Sequence, residues 1–273
     1  MIGQLASAGV RAVLIATPAL LLPSVESDSA QIVFIVAILA AIMTFVEYNS
    51  AYPSIVEFRS APPFNRLRFV ALFFTVFSLT AIARGKVEPT ALTEMLTVIG
   101  TIVGDAIDFP YSPVRLVVLM MPADATFELL YDVRTAAGLA YLVSLLAMIG
   151  FVTMVRIFDW PARNGAFNVW VNLPLFDPTA GGDVVQRLKL DARINITLGV
   201  LLPFVMPALV KLASDLLDPI SMANPLTLIW MMSAWAFLPA SMIMRGIAMG
   251  KIADMIEEKR RRAYAQAEGL AHA

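Results

Sequence analysis

Six stretches of the chain are almost pure hydrocarbon: residues 6–23, 30–46, 67–83, 136–155, 194–212 and 225–244. Charged and polar residues gather between them, so apolar runs alternate with mixed connectors. Each run approaches the roughly 20 residues a helix needs to cross about 30 Å of hydrocarbon. The pattern predicts six transmembrane helices. The first three runs are short, and Arg11, Arg66 and Arg68, near one end of them, are expected to snorkel towards the headgroups. The first run also resembles a signal peptide, but "PSVESDSAQ" after it makes a poor cleavage site because Asp28 takes the −3 position. A retained span is expected.

Between the third and fourth runs lies a polar interruption from Arg84 to Arg134. Leu92, Met95, Leu96, Ile99, Ile102 and Val103 share one helical face there, while Glu94, Thr97, Thr101, Asp105 and Asp108 fall elsewhere. That amphipathic pattern suits a helix lying on a surface or under a neighbour. "FPYSP" ends it, and "VRLVVLMM" is too short to cross alone. The expectation is an outer cap of two short helices over 84–135, with a re-entrant pair as the alternative.

Lysine and arginine set the orientation. With the N-terminus inside, segments 1–11, 46–68, 156–193 and 245–273 are cytoplasmic and hold 15 of the 20 basic residues. The outer segments hold only Arg84, Lys86, Arg115, Arg134 and Lys211, against 11 acids. A single crossing within 84–135 would move most of the basic charge outside, which argues against one.

Composition agrees. Hydrophobic residues make up 59% and charged residues 15% of 273, where soluble domains carry about 25% charged. A net charge of −1 gives no basis for nucleic-acid binding. The absence of cysteine removes disulfides and thiolate chemistry, and a lone His272 in a polar tail leaves no histidine-based triad or metal cage. No cofactor or metal is expected.

Helix association in lipid relies on close packing at small residues. Ala137, Ala140, Ser144 and Ala147 line up at helical spacing in the fourth run, and Gly246 and Gly250 form a GxxxG after the sixth. These rows fit packing within the bundle; the alternative is a face reserved for a partner subunit. Pro203, Pro207 and Pro239 are expected to kink their helices. The middle of each run is free of Asp, Glu, Lys and Arg, which counts against proton-coupled transport. Lys211 and Asp215 are placed as an interfacial pair.

Two connectors carry the candidate sites. In "EYNSAYPSIVEFRSAPPFNRLRF", residues 47–69, Ser54 and Glu57 match a capping box opening a short surface helix with Arg59 on lipid phosphate, and Pro62–Pro63 ends it. Asn65 is expected to cap the third span. Tyr48 and Tyr52 suit the interface. Glu47 has no local partner in this reading, so pairing with Arg66 or Arg68 is expected.

The second connector spans 156–193. There "AFNVWVNL" alternates Phe167, Val169, Val171 and Leu173 against Asn168, Trp170 and Asn172, which reads as a strand. "DPTAGGD" reads as a turn started by Asp177 and relaxed by Gly181–Gly182, with Asp183 capping the helix that follows. A loop this long is often functional, and this one is the best candidate for a docking surface. Beyond the sixth span, Lys259, Arg260, Arg261 and Arg262 are expected among anionic headgroups on a helical tail.

The sequence therefore predicts an all-α multi-pass protein: a single membrane domain of about six helices with both termini cytoplasmic, a structured loop over 156–193 and a cytoplasmic tail over 245–273. The leading functional expectation is a non-enzymatic accessory, scaffold or assembly subunit in the inner membrane, touching lipids and other membrane subunits. A transporter or channel for a neutral or weakly polar solute is second. A lipid-modifying enzyme using Glu47 and Glu57 is third.

Overall fold

The computed structural model describes residues 2–23, 25–51, 54–161, 168–177, 179, 181–216 and 221–271, without the side chains of residues 169, 170, 215 and 268–271. Tyr52 and His272, the Trp170 and Asp215 side chains, and with the latter the pair proposed with Lys211, lie outside the described residues. Among the described residues nine helices follow in order: α1 Ile2–Leu21, α2 Ser27–Asn49, α3 Phe64–Gly85, α4 Ala91–Ile107, α5 Pro113–Leu119, α6 Phe127–Arg156, α7 Val169–Asn172, α8 Val184–Leu216 and α9 Pro225–Ala271. Six of them, α1, α2, α3, α6, α8 and α9, are long and apolar enough to cross a membrane. The chain is a multi-pass membrane protein, and among the described residues it contains no strand.

Local chemistry explains where helices start. Thr90 and Thr93 form a reciprocal capping box at α4. Ser112 caps α5, with Pro113 supplying a preset first helical residue. Thr126 caps α6, and the Asn224 side chain accepts from the Leu226 and Thr227 N–H groups at the start of α9.

Helices α3, α6 and α9 form the centre. Helix α1 joins it mainly through α3, and α2 packs on α1 alone; on the opposite side α8 packs along α9. Backbones approach closely at glycines. A Cβ on Gly138 of α6 would lie 2.4 Å from the Gly104 nitrogen of α4, and one on Gly100 2.8 Å from the Thr135 carbonyl. In the α8–α9 seam a Cβ on Gly199 would meet the Pro239 carbonyl at 2.7 Å, and one on Gly246 the Ala192 carbonyl at 2.7 Å. Gly250 is looser, 3.9 Å from the Ala192 Cβ. Pro207, which has no N–H, leaves the Pro203 carbonyl without its helical donor, and the indole of Trp235 on α9 donates to that oxygen at 3.1 Å. A proline that weakens one helix thus ties it to the next. Ala137, Ala140, Ser144 and Ala147 are all buried within the chain.

The interruption at 84–135 leaves and returns at one end of the bundle, because Lys86 after α3 pairs with Glu128 and Asp132 near the start of α6. Its helix α4 packs by one edge of the apolar face, with Leu96 buried and Ile99 and Val103 half-buried. Thr93, Leu96, Gly100 and Gly104 are buried, whereas Leu92, Met95, Val98 and Ile102 are exposed. The buried strip combines small residues with Leu96, as close packing of helices in a bilayer favours, and the bulky residues beside it stay exposed. The predicted strand is also corrected. Asn168 is irregular and Val169–Asn172 is one helical turn, closed by the Asn172 side chain donating to the Asn168 carbonyl at 2.9 Å.

Candidate functional site

The connectors at 47–63 and 157–183 and the second half of α9 converge at the end of the bundle opposite Lys86. Glu47, in the last turn of α2, organises this end. Its carboxylate accepts from the N–H groups of Ser54 at 3.0 Å, Ile55 at 2.9 Å and Val56 at 3.1 Å, and from the Ser54 hydroxyl. Arg59 donates to the Glu47 and Ser50 carbonyls at 2.7 and 2.6 Å, covering the exposed C-terminus of α2.

These bonds overturn the capping box and the surface helix expected here. Residues 54–63 form bends and turns, because Glu47 has taken both the Ser54 N–H that a capping box would give to Glu57 and the Ser54 hydroxyl that would cap the helix start. Glu47 does not pair with Arg66 or Arg68. Phe58 adopts a left-handed φ of 54°, which turns its ring inwards onto Phe64 at a centroid distance of 4.4 Å. Asn65 does not cap α3 either; its amide donates to the Glu57 carbonyl at 2.6 Å.

Glu57 is buried and meets the Arg245 guanidinium through two bonds of 2.5 and 2.7 Å. This bidentate pair joins the loop to α9 across 188 residues of sequence. Asn172 pins the other connector to the same loop. Its backbone carbonyl accepts from the Phe58 N–H at 2.7 Å, and its side-chain oxygen accepts from the Ser60 N–H and hydroxyl, both at 2.9 Å. Trp160 fills the centre with Phe58, Phe64 and Phe151, its indole donating to the Ala61 carbonyl at 3.2 Å. Leu173 and Phe176 complete this core. Asp177 accepts from the Thr179 N–H at 2.8 Å in a local turn. Asp183 caps α8 through the Val185 N–H and pairs with Arg260 at 2.7 Å; this hydrogen bond from Arg260 holds its carboxyl below the usual carboxylate range.

Beside this folded plug runs a cavity of about 420 Å³, between α1 and α2 on one side and α3 and α9 on the other. Its polar end carries Arg11, Glu57, Asn65 and Arg68, and its long wall carries Leu14, Ile15, Leu72, Trp230 and Phe237. Arg11 donates to the Tyr48 hydroxyl at 3.1 Å and lies over the Tyr48 ring. Arg68 does not snorkel as expected. Its guanidinium sits 5.1 Å from the Phe64 ring centre and 5.9 Å from that of Phe237, and its Nε is buried without a hydrogen-bond partner among the described residues.

Of the residues selected from sequence, Glu47, Tyr48, Glu57, Arg59, Asn168, Asn172, Asp177 and Asp183 lie at this end. Arg11, Arg68, Arg245, Trp230 and Phe237 were not selected. The available signal was that Arg11 and Arg68 stand inside apolar runs rather than beyond them. Compared with known protein families, curated proteins and solved structures, the chain matches none.

Proposed function

We propose that this chain is a non-enzymatic accessory, scaffold or assembly subunit of a larger complex in a cytoplasmic membrane. The plug end and both termini face the cytoplasm, following the bias of basic residues. The observation that carries the reading is the build of the plug. Inside it is fixed by Trp160, Leu173 and Phe176, while Ile157, Phe158 and Leu175 on the same connector are 73%, 54% and 68% exposed. A connector rigid within and apolar without is suited to receiving another membrane subunit.

Chemistry-bearing groups at this end act as fasteners. Glu47 holds a loop and Glu57 holds Arg245, which weakens the lipid-modifying reading built on those two carboxylates. The α8–α9 seam, between the two proline-bearing helices that would line a solute path, is packed at Gly199 and Gly246 against opposing backbone, which weakens the transporter reading.

The test is purification at native expression level in mild detergent, with particle mass and identification of co-purifying chains. A stoichiometric partner is expected, and Ile157→Ser with Leu175→Ser should release it while the chain stays folded. A particle containing only this chain contradicts the reading.

A further inference from the structure

We propose that the cavity between α1, α2, α3 and α9 is a binding site for an anionic lipid, with its oxyanion head on Arg68 and Arg11 and an acyl chain along Trp230 and Phe237. The charge balance of the cavity points to an anion. Its one carboxylate, Glu57, is already matched by Arg245 through two hydrogen bonds. Arg11 bonds only neutral oxygens, those of Ser7 and Tyr48, and Arg68 forms no ion pair among the described residues. A guanidinium offers five donors in a planar fork, and leaving one of them buried and unpaired is unfavourable. Carboxylate or phosphate oxygens are the partners this fork fits. A second cavity of about 390 Å³ adjoins the first, shares Arg11, Asn65 and Phe69 with it, and adds Arg59 and Arg66. The polar end is therefore broadly cationic.

Shape points to an amphiphile rather than a free ion. Away from Arg68 the α9 side of the cavity is lined by Phe237 and Trp230, about 10 Å apart at 1.5 Å per residue, facing Leu14, Ile15 and Leu72. Ala40 of α2 lines the same cavity, and among the helices α2 contacts α1 alone, its end being held otherwise by the Glu47 and Arg59 bonds to the loop. That flank gives onto the hydrocarbon layer, so a chain reaches it from the bilayer. The arginines stand at the end where the connectors emerge, which is headgroup depth for a lipid entering sideways.

The experiment uses the full chain in nanodiscs and brominated acyl chains, which quench nearby tryptophan. Brominated phosphatidylglycerol diluted into phosphatidylcholine is expected to quench Trp230 at least tenfold more efficiently than brominated phosphatidylcholine at the same fraction, the Trp230→Phe variant defining that signal. Arg68→Gln should reduce the preference to within twofold, and Arg68→Lys should restore part of it. Ala40→Phe fills the groove without touching a charge and should also abolish it, which guards against Arg68→Gln simply misfolding. Equal quenching by both lipids, or a preference that survives both Arg68→Gln and Ala40→Phe, overturns the proposal. So does loss of the preference on adding millimolar inorganic phosphate, which would identify a free-phosphate site.

Discussion

The two ends of the bundle handle charge differently. At the end formed by α4, α5 and the start of α6, Arg84 pairs with Glu88, Lys86 with Glu128 and Asp132, Arg115 with Asp108, and Arg134 with Asp105 and Asp108. At the plug end Glu47 is saturated by backbone N–H groups and Glu57, the carboxylate of the groove, by Arg245, so among the described residues Arg11 and Arg68 form no ion pair. Both ends are well packed. The difference teaches that a basic excess at a membrane surface has two meanings. Part of it can bias orientation, and part can be directed inwards, where among the described residues no carboxylate pairs with it.

Breaking the pair that neutralises the groove should have the largest effect. Glu57→Ala leaves Arg245 half-buried and unmatched, and should lower stability in detergent by about 3–5 kcal/mol, read by denaturant or thermal unfolding. It should also increase binding of anionic lipid, since a further cation is released. Next is Gly138→Ala, which forces a methyl against the Gly104 backbone and should cost about 1–3 kcal/mol without changing lipid preference. At the matched end, Lys86→Met should cost less than about 1 kcal/mol, because that pair is partly exposed. The smallest effect concerns Asp183. Its carboxyl is held low in the folded chain, so the contribution is present above the unfolded carboxylate pKa and is lost as pH falls through the folded one. Wild type should therefore unfold at a slightly higher temperature than Asp183→Asn near neutral pH, with the gap closing in acid.

Much of this architecture was legible because hydrocarbon runs are local. All six spanning helices begin and end within a few residues to a turn or two of the predicted limits, except that α6, α8 and α9 continue well past them at polar ends. Orientation of faces was less legible. The apolar pattern of α4 does not say which of its residues pack: Leu96 is buried while Leu92 and Met95 are exposed, because Gly100 and Gly104 set where backbones touch and hydrocarbon can solvate the rest. Short alternation misled at 168–173, where four residues of helix suffice to break a strand pattern; Phe167 lies outside the described residues. The site was largely hidden. Ser54 and Glu57 satisfy the local spacing of a capping box, yet partners 7 and 188 residues away claim them. Nothing in a single sequence reveals that Arg11 and Arg68 share a groove, since that follows from the packing of α1 against α3.

The most direct test of the contrast between the two ends is native mass spectrometry of the wild type, Arg68→Gln and Lys86→Gln, each released from the same bilayer of mixed anionic and zwitterionic lipid. The account predicts one retained anionic lipid on the wild type and on Lys86→Gln, and none on Arg68→Gln. Equal lipid retention by all three would contradict it.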